Sequence, residues 1–118
     1  MSVLLVRHAV AVGRRHWDGD DEDRPLDKRG RRQADALVSA LADREVEQVL
    51  TSPALRCVDT VTPLATARDL PVDVHADLAE GSTYEAVALM RSLVGCAVVL
   101  CSHGDVIPRV LEHFVVHD

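Results

Sequence analysis

A chain of 118 residues with a formal charge of −6 suits a single domain, large enough to bury about two-thirds of its unfolded surface without disulfides or a structural metal. The acidic balance argues against general nucleic-acid binding, no run approaches the ~18 apolar residues of a membrane span, and the opening apolar run is too short for a signal-peptide core. Three cysteines, Cys57, Cys96 and Cys101, form no CxxC pair and are odd in number, which points away from a secreted disulfide framework and toward a reducing cytoplasm.

The chain opens on Val3 to Val6, an apolar run that stops at Arg7 and His8. Such a run suits a strand buried on both faces of a parallel sheet, with Arg7 and His8 at its carboxyl end, where open α/β sheets bind ligands. A cation and an imidazole there suit an anion, although an Arg-His pair that merely ends a strand would look the same. Residues 9–26 form a polar loop. Its carboxylates between Asp18 and Asp23 do not match the spacing of a calcium loop, which leaves a solvated, mobile segment. Asp27 then caps a helix with Ala34, Leu37, Val38 and Leu41 at i, i+3, i+4 and i+7. Gly30 in its first turn lowers helix propensity with no visible compensation, and Lys28, Arg29, Arg31 and Arg32 form its wet face.

Glu47 to Thr51 reads as a second strand, followed by Ser52 at an N-cap and Pro53 at N1 of a helix. Arg56 lies in the first turn of that helix, with Leu55, Val58 and Thr62 on one side. Pro63 predicts a bend, and the helix reaches about Arg68. Val72 to His75 is a third strand. Ser82 and Glu85 have capping-box spacing and start a helix with Val87, Met90, Leu93 and Val94 inward, ended by Gly95. Ala97 to Cys101 is a fourth strand, broken off by Ser102-His103-Gly104-Asp105, and a last helix runs from about Val106. Strand and helix alternate throughout 1–118, which predicts one α/β domain with a parallel or mostly parallel sheet and helices on both faces.

Three strand ends therefore carry related chemistry: Arg7 and His8, Arg56, and His103. In a doubly wound sheet they converge on one edge, where arginine forks bind phosphoryl oxygens and a neutral imidazole can attack phosphorus. Rival chemistries fail on spacing: no cysteine has an arginine six positions later, and there is no GxSxG, Walker-A loop, GxGxxG or HExxH. His113 and His117 are i, i+4 on the last helix but lack further metal ligands and read as wet surface. His16 and His75 read as structural or solvent-facing.

Val6-Arg7-His8-Ala9, Arg24-Pro25-Leu26-Asp27-Lys28-Arg29-Gly30 with Gln33-Ala34, Thr51-Ser52-Pro53-Ala54-Leu55-Arg56 with Thr60, and Ser102-His103-Gly104 resemble the successive signatures of the histidine phosphatase superfamily. The resemblance spans residues 3–110 and implies a three-layer α/β/α fold of the phosphoglycerate-mutase type. Arg-His-Ala, the short length and the lack of a cap insertion are similar to small SixA-type phosphohistidine phosphatases. The Arg24 to Gly30 run and Val106-Ile107-Pro108 resemble the phosphatase domain fused to Nudix hydrolases in some bacteria.

The resemblance implies a cofactor-free, metal-independent phosphatase with His8 as nucleophile and Arg7, Arg56 and His103 on the phosphoryl oxygens. His8 must be neutral, whereas a bound dianion favours a protonated His103. Leu78-Ala79-Glu80 resembles the segment that supplies a general acid, so Glu80 is its candidate; otherwise it is a surface residue before Ser82. The implied partner is a phosphorylated protein, above all one carrying phosphohistidine, or a small phosphate ester or nucleotide, which a Glu80 in the pocket would favour. A non-catalytic phosphate-binding module is the alternative of another class. Family members usually continue past the helix that follows the second histidine. The stop at Asp118 leads us to expect self-association through an incomplete edge or reduced stability, unless the sequence is a truncated one. Cys57, beside Arg56, reads as a small core residue or a redox-sensitive one.

Overall fold

The computed structural model of the chain describes residues 3–93 and 95–104. Within them run, in chain order, β1 (Val3–Arg7), α1 (Lys28–Ala40), β2 (Gln48–Thr51), α2 (Leu55–Ala67), β3 (Val72–Val74), α3 (Thr83–Ser92) and β4 (Val98–Ser102). The strands pair in parallel in the order β1-β4-β2-β3. Successive side chains of a strand face opposite sides, so β4 sends Val99 and Cys101 to one face and Val98 and Leu100 to the other. The first face is covered by Cys57, Val61, Leu64 and Ala65 of α2, with Leu37 and Val38 of α1 packed against them. Ala86, Val87 and Met90 of α3 cover the second. This is the three-layer α/β/α architecture that the alternation predicts. No helix among the described residues is long and apolar enough to cross a membrane.

Several local expectations need correction. β1 is half-buried rather than buried on both faces, because among the described residues it pairs only with β4, whereas β4 lies between two strands and is buried along its length. α2 begins two residues later than a Ser52 cap would place it, with Ala54 at the N-cap. Ser52 Oγ accepts from Ala54 N at 3.3 Å and is also engaged by His103. The helix runs through Pro63 to Ala67, and its outer side carries Leu55 and Thr62. Ser82 precedes α3 without a cap hydrogen bond, since its backbone (φ −96°, ψ 45°) is not in the extended conformation that aims a cap oxygen at the first turn. Val94 and the helix expected from Val106, with His113 and His117, lie outside the described residues.

The loop over residues 9–26 is built rather than loose. Ala11 bridges Leu26, Val12 N donates to Pro25 O at 2.9 Å, and two 3₁₀ turns form at Arg14–His16 and Asp21–Asp23. Arg24 is buried and donates to Asp21 Oδ1 (3.0 Å) and Val12 O (2.8 Å). Charge pairing holds this segment down, which is why an apolar-periodicity argument could not see it.

Asp27 caps α1, its Oδ1 accepting from Gly30 N at 2.7 Å, and the reason for Gly30 lies in the same loop. A Cβ at Gly30 would stand 1.9 Å from the Val10 carbonyl oxygen, which accepts from Asp27 N at 3.1 Å. Gly30→Ala would gain about 1 kcal/mol in helix propensity. Forcing two backbones apart costs ~1–3 kcal/mol and more when neither is a flexible side-chain end, so the clash prevails. We expect a melting temperature roughly 5–10 °C lower; a rise in Tm would show that the loop does not press on α1.

Candidate active site

The carboxyl ends of β1, β2 and β4 open onto one pocket of about 200 Å³. β1 delivers Arg7 and His8, the first turn of α2 delivers Arg56, β4 delivers His103, and the segment between β3 and α3 delivers Glu80. All five residues singled out from the sequence line this pocket. The Glu80 segment is tied to the sheet edge by Ser102 Oγ, which donates to Leu78 O at 2.7 Å. The volume is below the ~300–1,000 Å³ of sites that engulf a drug-sized ligand, which suits a phosphoryl group whose remainder stays outside.

His8 Nδ1 lies 2.8 Å from Ala9 O. A carbonyl only accepts, so Nδ1 carries the proton and Nε2 keeps the lone pair. The Ala9 peptide is itself pinned: Thr60 Oγ1 accepts from Ala9 N at 2.9 Å and donates to Arg56 O at 2.6 Å. Burial pushes the His8 pKa below the ordinary 6.5; the Ala9 carbonyl and Cys57 oppose this, and Arg56 and His103 add to it. If His8 attacks as the neutral ring, the acid limb of kcat/KM lies below pH 6.5. An acid limb above that value would contradict this. The unfolded chain binds the His8 proton more readily, so the stability contributed by His8 is complete above pH 6.5 and lost as pH falls through the lowered folded value.

Arg56 is only 2% exposed. Its Nη1 donates to Asp21 O at 2.8 Å, and Nη2 stands 3.1 Å from Asp21 Oδ2 and 3.1 Å from Glu80 Oε2. Asp21 also pairs with Arg24 (3.0 Å) and Arg14 (3.7 Å), and Glu80 Oε1 pairs with Arg14 Nη2 at 3.5 Å. Arg24, Arg56 and Arg14 together hold the Asp21 carboxyl below the usual carboxylate range, with desolvation opposing them. Two carboxylates thus hold part of the charge of the four pocket arginines, Arg7, Arg14, Arg24 and Arg56.

His103 is buried, with Nε2 2.7 Å from Ser52 Oγ and Nδ1 3.4 Å from Arg56 Nη2. A guanidinium only donates, so Nδ1 accepts and Nε2 carries the proton toward Ser52. The His8 and His103 ring centroids are 5.7 Å apart with planes at 65°. Cys57 Sγ sits 3.7 Å from His103 Nε2 in the core; the Cys101 thiol, hydrogen-bonded to it, draws its pKa down to about 5 while its own rises. A Cβ at Gly104 would come 2.9 Å from Arg7 Cζ, so this glycine lets the Arg7 guanidinium lie over the backbone.

Sequence reasoning missed Asp21, Arg14, Ser52 and the full role of Arg24 and Thr60. Arg24 and Thr60 stood inside quoted motifs, whereas Asp21 and Arg14 had only the charge of a polar loop to mark them.

Residues 3–87 match the model of the histidine phosphatase superfamily, branch 1. The chain belongs to this superfamily. An 8-oxo-(d)GTP phosphatase of Mycolicibacterium smegmatis is 38% identical over 118 residues, covering 94% of this chain and 36% of that protein, so the chain spans little more than a third of that relative's length. The structure of the protein histidine phosphatase SixA complexed with tungstate superposes with a TM-score of 0.82 at 27% identity, over 95% of this chain and 75% of the other. A mycobacterial glucosyl-3-phosphoglycerate phosphatase complexed with VO3 shares the fold, with a TM-score of 0.80 at 20% identity over 94% and 78% of the two chains.

Proposed function

We propose that this chain hydrolyses phosphate monoesters or nucleotides without a metal, with His8 as nucleophile and Glu80 as general acid. The observation that carries the proposal is the Nδ1 contact of His8 with Ala9 O at 2.8 Å, which reserves the Nε2 lone pair for a pocket lined by guanidinium groups. Nε2 attacks phosphorus in line, and the P–N bond forms as the P–O bond to the leaving group breaks. Arg7 and Arg56 hold the equatorial oxygens where charge builds, joined by His103 when the bound dianion draws a proton onto its Nδ1. Arg56 exchanges Asp21 and Glu80 for the phosphoryl group, and the dianion beside Glu80 then favours its protonated form. Glu80 gives that proton to the departing oxygen. In the second half, Glu80 takes a proton from water, whose oxygen displaces His8 from phosphorus and releases inorganic phosphate.

A general acid matters most for a poor leaving group such as an alkoxide, so Glu80 in the pocket supports an ester or nucleotide substrate, as does the 8-oxo-(d)GTP phosphatase relative. Phosphohistidine is the second reading, supported by the likeness to SixA. Kinetics of Glu80→Gln across a leaving-group series separate the two. An acid role predicts a loss of about 10²–10⁴ in kcat for an alkyl phosphate and a much smaller loss for nitrophenyl phosphate. Equal losses on both would remove Glu80 from the acid role and favour phosphohistidine.

A further inference from the structure

The geometry points to Arg14 as the residue that selects a phosphoryl group attached to a second phosphate, making the terminal group of a diphosphate the preferred substrate; this rests on the His8 mechanism above. Contacts order the pocket from His8 outward: the His8 ring meets the His103 ring, His103 meets Arg56, Arg56 meets Glu80, and Glu80 meets Arg14 at 3.5 Å. In-line displacement places the leaving group opposite the nucleophile, hence at the Glu80 and Arg14 end.

Arg14 is aimed there by Asp21 at 3.7 Å, yet its side chain is 69% exposed. Once the phosphoryl group takes Arg56 and Glu80 is protonated, Arg14 loses one of its two carboxylate partners and presents its guanidinium to the leaving side. Glu80 addresses the bridging oxygen, so an anion that Arg14 can reach must be attached directly to that oxygen. A diphosphate meets this condition, and a nucleoside or alkyl leaving group does not. The step balances: Nε2–P forms, the bridging P–O bond breaks, and the monophosphate leaves with that electron pair and the Glu80 proton. Water then cleaves the phosphohistidine, so that one water is consumed per phosphate released.

AMP and ADP share base and sugar but differ both in the charge on the leaving side and in leaving-group basicity, so the contact is read from the change in their kcat/KM ratio when Arg14 is replaced, which leaves the basicity difference constant. Wild type is expected to prefer ADP by at least tenfold, a preference that falls as salt screens Arg14. Arg14→Ala should lower the ratio at least fivefold, and Arg14→Glu further still. A ratio that moves less than fivefold in both variants overturns the inference. Wild type that cleaves nitrophenyl phosphate but not ADP overturns this inference alone. Cleavage of none of the three overturns the mechanism it rests on.

Discussion

His8→Ala is expected to abolish turnover, lowering kcat by at least on the order of 10⁴, because no other described side chain in the pocket offers a neutral nitrogen lone pair aligned by a backbone carbonyl. Arg7, Arg56 and His103 remain, so the variant should still bind inorganic phosphate or vanadate. Its fold should survive: the side chain is only half-buried, and its one hydrogen bond among the described residues goes to the neighbouring Ala9. Phosphate binding by competition and a Tm within a few degrees of wild type would separate loss of chemistry from loss of structure. Residual turnover within about tenfold of wild type would mean that another group attacks phosphorus.

Arg56→Ala should be the second most damaging change, and it acts on both activity and stability. Loss of a guanidinium that holds the charge of the transition state costs about 10²–10³ in kcat. The same substitution leaves Asp21 and Glu80 without the cation they share at 3.1 Å. Breaking a buried ion pair from one side costs roughly 3–5 kcal/mol, and since both carboxylates are about half exposed the lower end of that range is the expectation. Arg56→Lys should recover stability better than activity, because an ammonium supplies charge without the planar fork. Kinetics and thermal melts of the two variants together check this. Arg56→Lys at wild-type kcat would show that Arg56 contributes charge alone.

The parts of the fold legible in the sequence were those written in apolar periodicity. The alternation of β1, β2 and β4 with α1, α2 and α3 could be read, as could the gathering of Arg7, His8, Arg56 and His103 at strand ends, whereas Glu80 was marked only by the family resemblance of Leu78-Ala79-Glu80. What escaped was held by polar contacts between residues distant in sequence. Asp21 reaches Arg56 across 35 positions and Thr60 reaches Ala9 across 51, and neither leaves a local signal. Ser52 looked like a helix cap because Ser-Pro starts helices, yet its hydroxyl serves His103. Gly30 looked like a flaw in α1 until the Val10 carbonyl lay against it.

Intact mass of wild type and His8→Ala, quenched in alkaline denaturant within the first turnovers on nitrophenyl phosphate, tests the central claim most directly. One acid-labile phosphoryl group on wild type and none on His8→Ala is the predicted result. Turnover of wild type with no phosphoryl group on the protein at any time, or a labelled His8→Ala, would contradict it.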